Sequence, residues 1–479
     1  MDYDKMIAGM SLEEKALQLS QAGVADIIQV ENAAVVGIPH AGVDGENIGD
    51  LGSVNNFGGI EEAKRIRSAS FARKDNPLIL MEDVIHGFRT VYPINVAIGG
   101  TFDLDLAEEC AELAAIEARA NGVNVTIAPM VDLSRDARWG RVGESTGEDP
   151  YLNGQMGRAF IRGFHKGGIA CCVKHFAAYG AAEAGRDYNT TDISDHTLKE
   201  YYLKSYLECL KENPELLMTS FNLLNGIPVN GHRELLVELL REQEKFDGVL
   251  ISDWGGFAEM TAHGYAADLK ECACIAANNE VDIDMPVLVY AKYLPTLVRE
   301  GKVSEETVNR MVRRVLRLKE KLGLYENASI GIDEEKNRTY CLSLDARDIV
   351  RKAAEDACVL LKNDGALPLQ ADEKVCLIGP FARSKDILGA WSCLGKAEDT
   401  VSVYDGIWRL TGKCVPTASA CSERLFDDDD SGFAEALRLA RKSDTVIVCL
   451  GEHCDDSGES RSRADIVLSP LQMCLLRKL

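Results

Sequence analysis

Between residues 17 and 283, short apolar runs alternate with longer amphipathic stretches, and this alternation restricts the fold more than any other feature of the chain. The apolar runs fall at 17–21, 52–55, 78–81, 123–128, 170–173, 216–220, 249–252 and 281–283. Most are apolar on both faces, as in parallel strands covered by helices. Stretches with helical spacing lie between them at 61–72, 104–120, 195–210, 233–243 and 268–278. A helix also opens at Ser11, an N-cap followed by Glu13, Glu14 and Lys15, and the run 17–21 can equally be read as its continuation. Strands separated by helices in this way predict an α/β fold, a (β/α)8 TIM-like barrel.

A helix rich in Arg and Lys, 303–321, closes this region and sets a first domain at 1–321. The polar segment 322–344, with Gly323, Asn327, Gly331 and Asn337, reads as a linker. Beyond it, 345–362 is helical and runs into Val359-Leu360-Leu361-Lys362, and Val375-Cys376-Leu377-Ile378-Gly379-Pro380 opens a new α/β unit. A helix at 433–442 and a strand at 445–450 repeat the pattern, so 345–479 reads as a second, doubly wound domain with few strands.

Lys and Arg number 53 against 76 Asp and Glu, a net charge of −23. That excludes nucleic acid and anionic membrane surfaces, which need a basic face, and suits a neutral substrate. The N-terminus is polar, without the apolar core of a secretory signal, and no run approaches a membrane span. The 15 cysteines lack disulfide-framework spacing, which points to a reducing compartment, the cytoplasm. Cys171-Cys172 and the Cys272/Cys274 pair lack a second pair at zinc spacing and read as core thiols, so neither metal nor cofactor is expected.

Polar residues gather where the apolar runs end. Run 78–81 leads into Glu82-Asp83, 123–128 toward Arg138-Trp139-Gly140-Arg141, 170–173 into Lys174-His175, 216–220 into Asn222, and 249–252 into Asp253-Trp254-Gly255-Gly256. In a barrel these C-terminal strand ends converge on one pocket. Cations beside carboxylates, with the Trp254 indole as a wall, suit a sugar, whose hydroxyls need rigid partners and whose C–H face stacks on a ring. Asp253 then reads as a nucleophile; the alternative is a helix cap, with the glycines making the turn. His175 can also be a satisfied core imidazole, Arg141 reads as a structural partner of Glu144 or Glu148, and Asp284 as an organiser of the loop after the last strand.

At these residues the chain resembles glycoside hydrolase family 3, the β-glucosidase and β-xylosidase group. The matching segments are Glu82-Asp83-Val84-Ile85-His86-Gly87, Ala128-Pro129-Met130-Val131-Asp132, Arg138-Trp139-Gly140-Arg141 through Glu148-Asp149-Pro150, Val173-Lys174-His175-Phe176, Ser252-Asp253-Trp254, Val359 to Asn363 and Ser460-Arg461-Ser462-Arg463. They occur in family order and span nearly the whole chain. The resemblance is to the bacterial periplasmic type, whose barrel is followed by an α/β sandwich and a fibronectin-like domain. It implies a partial α/β sandwich at 345–479, truncated at its C-terminal side. It implies Asp253 as nucleophile of a retaining mechanism, and Asp83, Arg138, Lys174, His175 and Arg186 as ligands of the sugar hydroxyls. The general acid/base is implied to be Glu459, with Glu452 in the same loop as its rival. The implied activity is release of non-reducing terminal β-D-glucosyl residues from small or oligosaccharide β-glycosides. The alternatives are a β-xylosidase or α-L-arabinofuranosidase, or a truncated protein that binds sugar without turning it over. Two departures stand out: Phe221-Asn222 replaces the family's frequent Tyr-Asn, and the signal peptide of the periplasmic type is missing.

Overall fold

The computed structural model describes residues 1–23, 50–70 and 76–479. Its centre is a seven-stranded parallel sheet, in which each strand pairs with the next in chain order. The strands are β1 (Gln21–Gly23), β2 (Ser53–Asn55), β3 (Ile79–Glu82), β4 (Val125–Thr126), β5 (Ala170–Phe176), β6 (Leu216–Thr219) and β9 (Val249–Ser252). A small antiparallel hairpin, β7 (Leu223–Leu224) and β8 (Ile227–Pro228), follows β6. The last apolar run closes the ring through single bridges: Ile283 pairs with Ile251, and Asp284 with Ser20. The Gln21 N–H donates to the Asp284 carbonyl at 2.9 Å, so the eighth position joins the first. Every residue of the seven sheet strands is buried, because the sheet curls around its own side chains and helices cover its outside.

The helices begin where side chains cap them. Asp103 accepts from the Leu106 N–H and opens Leu104–Ala120, which buries Leu106, Ala107, Cys110, Ala111 and Ala114 at helical spacing. Asp149, with Pro150 at the first turn, opens Pro150–Gly167, and the two helices pack together. That second helix escapes the periodicity reading because Gly154, Gly157, Gly163 and Gly167 interrupt its pattern. The run 17–21 divides: a capping box of Ser11 and Glu14 carries helix Leu12–Gln18 onward, and the strand starts only at Gln21. The stretch 195–210 is not one α-helix, since a π-helical segment at Leu198–Tyr202 separates Asp195–Thr197 from Lys204–Leu210. The expected helix 61–72 is Ile60–Ser70, and residues 71–72 lie outside the described residues.

The segment 322–344 is not free of structure: it holds helix Glu334–Tyr340, and the Asn121 side-chain amide donates to Asn337 Oδ1 at 3.0 Å. Helix Leu344–Asp356 follows and stops before Val359-Leu360-Leu361, which are exposed. The later α/β layer has β10 (Val375–Ile378) between β11 (Thr417–Ala418) and β12 (Thr445–Val448), all parallel. Helices Val403–Thr411, Phe433–Ala440 and Pro470–Lys478 accompany them, and its core is small: Cys376, Ile378, Phe433, Ala436 and Leu475.

Candidate active site

Asp253 stands at the C-terminal end of β9. The strand end is pinned from both sides: Ser252 Oγ accepts the Met285 N–H at 3.0 Å, and the Gly255 N–H donates to the Met285 carbonyl at 2.7 Å. Asp253 is buried; its Oδ1 accepts the Trp254 N–H at 2.7 Å. Its Oδ2 is buried without a hydrogen-bond partner, 3.5 Å from His175 Nε2. A buried carboxylate oxygen left unpaired is costly, and such costs concentrate where the atom is held for chemistry. Burial pushes the Asp253 carboxyl well above the usual carboxylate range; Arg141 and Lys174 oppose that shift, and Glu459 adds to it.

β5 delivers two more groups. Lys174 is buried, with Nζ 2.5 Å from Asp83 Oδ1 beyond β3. Burial works against its ammonium, but Asp83 and Glu144 outweigh it and the pKa is raised, so the charge is held. His175 is fully buried; its backbone N–H and its Nδ1 lie 3.0 and 2.7 Å from Asp132 Oδ2. That contact assigns the proton to Nδ1 and leaves Nε2 to accept from Arg141 Nη2 at 3.0 Å. Burial, then Arg141 and Lys174, depress the His175 pKa well below the usual value. The imidazole is therefore neutral, and its approach to Asp253 is no ion pair.

Arg141 lies in the short 3-10 turn Gly140–Glu144 and is buried. It holds Glu144 in a two-bond fork, Nε to Oε1 at 2.7 Å and Nη2 to Oε2 at 2.9 Å. Its Nη1 lies 3.7 Å from Glu459 Oε1.

Glu459 comes from the later α/β layer, on the loop after β12. Gly458 N–H donates to the Gly140 carbonyl at 2.6 Å, Gly140 N–H to the Arg461 carbonyl at 3.1 Å, and Arg463 N–H to the Arg138 carbonyl at 2.8 Å. The two backbones approach so closely that a Cβ at residue 140 would lie 2.3 Å from the Gly458 oxygen, which is why glycine occupies it. Glu459 Oε1 accepts the Tyr188 hydroxyl at 2.7 Å. The same layer supplies Trp391, whose ring centroid lies 5.8 Å from the Arg141 guanidinium and 5.5 Å from Lys174 Nζ. A buried carboxyl, the charged side chains of Arg141 and Lys174 near it and a second carboxyl lent by another layer thus come together in one place.

Two family models match this chain: the glycosyl hydrolase family 3 N terminal domain over residues 11–318, and the family's C-terminal domain over residues 358–479. The chain belongs to glycosyl hydrolase family 3. The periplasmic beta-glucosidase of Salmonella typhimurium is 32% identical over 464 residues, covering 90% of this chain and 61% of that protein. A beta-xylosidase of Formosa agariphila is 31% identical, covering 81% of this chain and 57% of its own length. The chain thus spans about three fifths of these relatives. The crystal structure of a beta-glucosidase from Listeria innocua superposes with a TM-score of 0.93 at 36% identity, covering 99% of this chain and 67% of that one. The same protein is also known in complex with glucose, TM-score 0.92.

Within this family-3 site the structure gathers Asp83, Lys174, His175, Asp253 and Glu459. Trp254 is half-buried against Met130, Trp139, Tyr179 and Phe221. Arg138 is not brought in: it is exposed, and Asp136, two residues back, holds its guanidinium at 2.6 to 3.2 Å. Arg141, expected to be purely structural, takes the position facing His175 and Glu459, while its pairing with Glu144 is as expected. Arg186 is exposed, beside Asp187. Glu452 is exposed and paired with Arg463, so the rival carboxyl is engaged elsewhere. Asp284 is buried, and the Tyr290 N–H donates to its Oδ2 at 3.2 Å, as a loop organiser would require.

Sequence reasoning missed Asp187, Tyr188 and Trp391. Among the described residues, two clusters bring metal-binding side chains together, His165 with Cys171 and Glu215, and Asp386 with His453 and Cys454; neither includes a residue of this site. No helix among the described residues is long and apolar enough to cross a membrane.

Proposed function

We propose that this chain is a retaining β-glycosidase that releases non-reducing terminal β-D-glucosyl residues. The observation that carries the reading is Asp253, a buried carboxylate with an unpartnered oxygen, linked through His175 and Arg141 to Glu459. Asp253 Oδ2 attacks the anomeric carbon and forms an ester bond to it as the bond to the leaving oxygen breaks. Glu459 gives its proton to that oxygen. In the second half, water attacks the same carbon, its proton returns to Glu459, and the Asp253 carboxylate leaves, so the β-configuration is restored. Arg141 and Lys174 favour the ionised form of Asp253 against its burial.

Lys174, Asp83, Arg141 and His175 bind the sugar hydroxyls, with Trp391 and Trp254 as apolar walls. We retain Arg138 and Arg186 only as outer residues, since their side chains are exposed. The glucosyl preference draws on the similarity to the Listeria innocua enzyme; the Formosa agariphila relative supports β-xylosidase as the second reading. We also propose a reducing compartment, because all 15 cysteines are free thiols. The domain division at 1–321 and 345–479 belongs to the same reading. The test is hydrolysis of aryl β-glucoside against aryl β-xyloside by the purified chain, with the first-formed anomer read by NMR. A first-formed α-sugar overturns the retaining mechanism, and sugar binding without any turnover favours the non-catalytic alternative.

A further inference from the structure

We propose that Asp187 and Tyr188 of the barrel are positioning residues for the acid/base carboxyl, a latch that fixes the loop 458–463 over the nucleophile. The proposal rests on the reading of Glu459 as acid/base. Asp187 accepts from both sides of the cleft. Its Oδ1 takes the Trp139 Nε1–H at 2.9 Å and the Tyr179 hydroxyl at 2.5 Å, and its Oδ2 takes the Ser460 backbone N–H at 2.7 Å. The first two donors are barrel side chains, both buried; the third is the residue next to Glu459. Ser460 itself has φ +61°, a left-handed conformation that a residue with a side chain adopts only when its surroundings hold it there.

Tyr188 completes the latch. Its hydroxyl donates to Glu459 Oε1 at 2.7 Å and accepts from Ser460 Oγ at 3.0 Å. Its ring meets Phe221 edge-on, with centroids 4.8 Å apart, so packing sets the direction of the hydroxyl. Burial and the Glu459 charge push the phenol above its usual value, which keeps it a donor. The polar partners that reach the Glu459 carboxyl, Tyr188 and Arg141, are both barrel residues, although its backbone belongs to the later layer. A general acid must come within about 2.6–3.2 Å of its oxygen, and a displacement of about 1 Å costs about 100-fold.

Asp187→Asn tests the latch, because an amide keeps acceptors for Trp139 and Tyr179 but turns an NH2 toward the Ser460 N–H. The expected result is a loss of about 100-fold in kcat/KM on methyl β-glucoside, with less than about 3-fold on dinitrophenyl β-glucoside, whose leaving group needs no acid. Azide should raise its kcat on the activated substrate and yield β-glucosyl azide. Tyr188→Phe, which keeps the ring packing, should show the same selectivity at about 10-fold. Equal losses on both substrates in the two variants, or none, overturn the latch; if Asp187→Asn does not fold, Tyr188→Phe alone decides. Glu459→Ala run in parallel separates the two ideas. If it lacks leaving-group selectivity and azide rescue, the acid/base reading fails; if it has both and the latch variants have neither, only the latch fails.

Discussion

Glu82→Gln should stabilise the protein, and increasingly so as pH rises to neutral and alkaline values. Glu82 ends β3 and is buried, with Oε2 accepting the Phe57 N–H at 3.0 Å and Oε1 the Asp83 N–H at 3.4 Å. Burial first, and then the neighbouring Asp83 charge, push its pKa up to about 8. A Glu in the unfolded chain titrates at about 4.3. The folded state therefore holds a proton that the unfolded chain releases, so stability falls as pH rises from about 4.3 to about 8 and the whole cost is present above that. At about 1.36 kcal/mol per unit, the cost is about 1 kcal/mol at about pH 5 and approaches about 5 kcal/mol at about pH 8.5, an upper bound that relaxation reduces. The amide can still accept the Phe57 N–H and never ionises. Calorimetric Tm values of both proteins at the two pH values give the test: the variant's advantage should be several degrees at the higher pH and about a fifth of that at the lower. An advantage of the same size at both pH values refutes the reasoning, because then ionisation of Glu82 is not the source of the cost.

Asp253→Asn should lower turnover of aryl β-glucoside by about 10⁴-fold or more while leaving the Tm at neutral pH unchanged or raised, since it removes a carboxyl whose pKa burial has pushed up. Arg141→Lys keeps the charge but loses the fork to Glu144, and kcat/KM should fall about 100-fold; wild-type-like kinetics would return Arg141 to a purely structural role. Gly140→Ala forces a Cβ against the Gly458 and Arg461 carbonyls, 2.3 and 2.4 Å away, and should displace the loop. Hydrolysis of alkyl glucosides should then fall far more than the barrel's Tm.

The barrel is legible in the sequence because its signals are local. Runs such as 249–252 fall on β9 as expected; Asp83 and Asp253 directly follow β3 and β9, and Lys174 and His175 lie in the last three residues of β5, so the strand ends aim them. Legibility fails where a side chain's direction depends on a non-repetitive turn. Arg138 and Arg141 are three residues apart in one motif, and no period decides which of them faces inward. The deciding residue is Asp136, which takes Arg138 outward, while the 3-10 turn at Gly140–Glu144 rotates Arg141 into the site. The nearby Glu144 argued for a structural arginine, yet a guanidinium has donors enough to hold Glu144 and still face His175 and Glu459. Trp391 and Asp187 give no sequence signal, because Lys174 and Ser460, the partners that tie them to the site, lie hundreds of residues away.

Bringing Glu459 in from a separate layer has an electrostatic consequence for Asp253. Glu459 and Asp253 both act on Arg141: the guanidinium lowers the Asp253 pKa, and the Glu459 charge raises it. Burial raises the Asp253 pKa most, and Arg141 and Lys174 are the cations that oppose it. The two carboxyls are therefore coupled through one guanidinium. That coupling depends on distance, and the distance depends on how the loop lies on the barrel. The contacts of Gly140, Asp187 and Tyr188 with residues 458–461 thus bear on Asp253 as well as on Glu459.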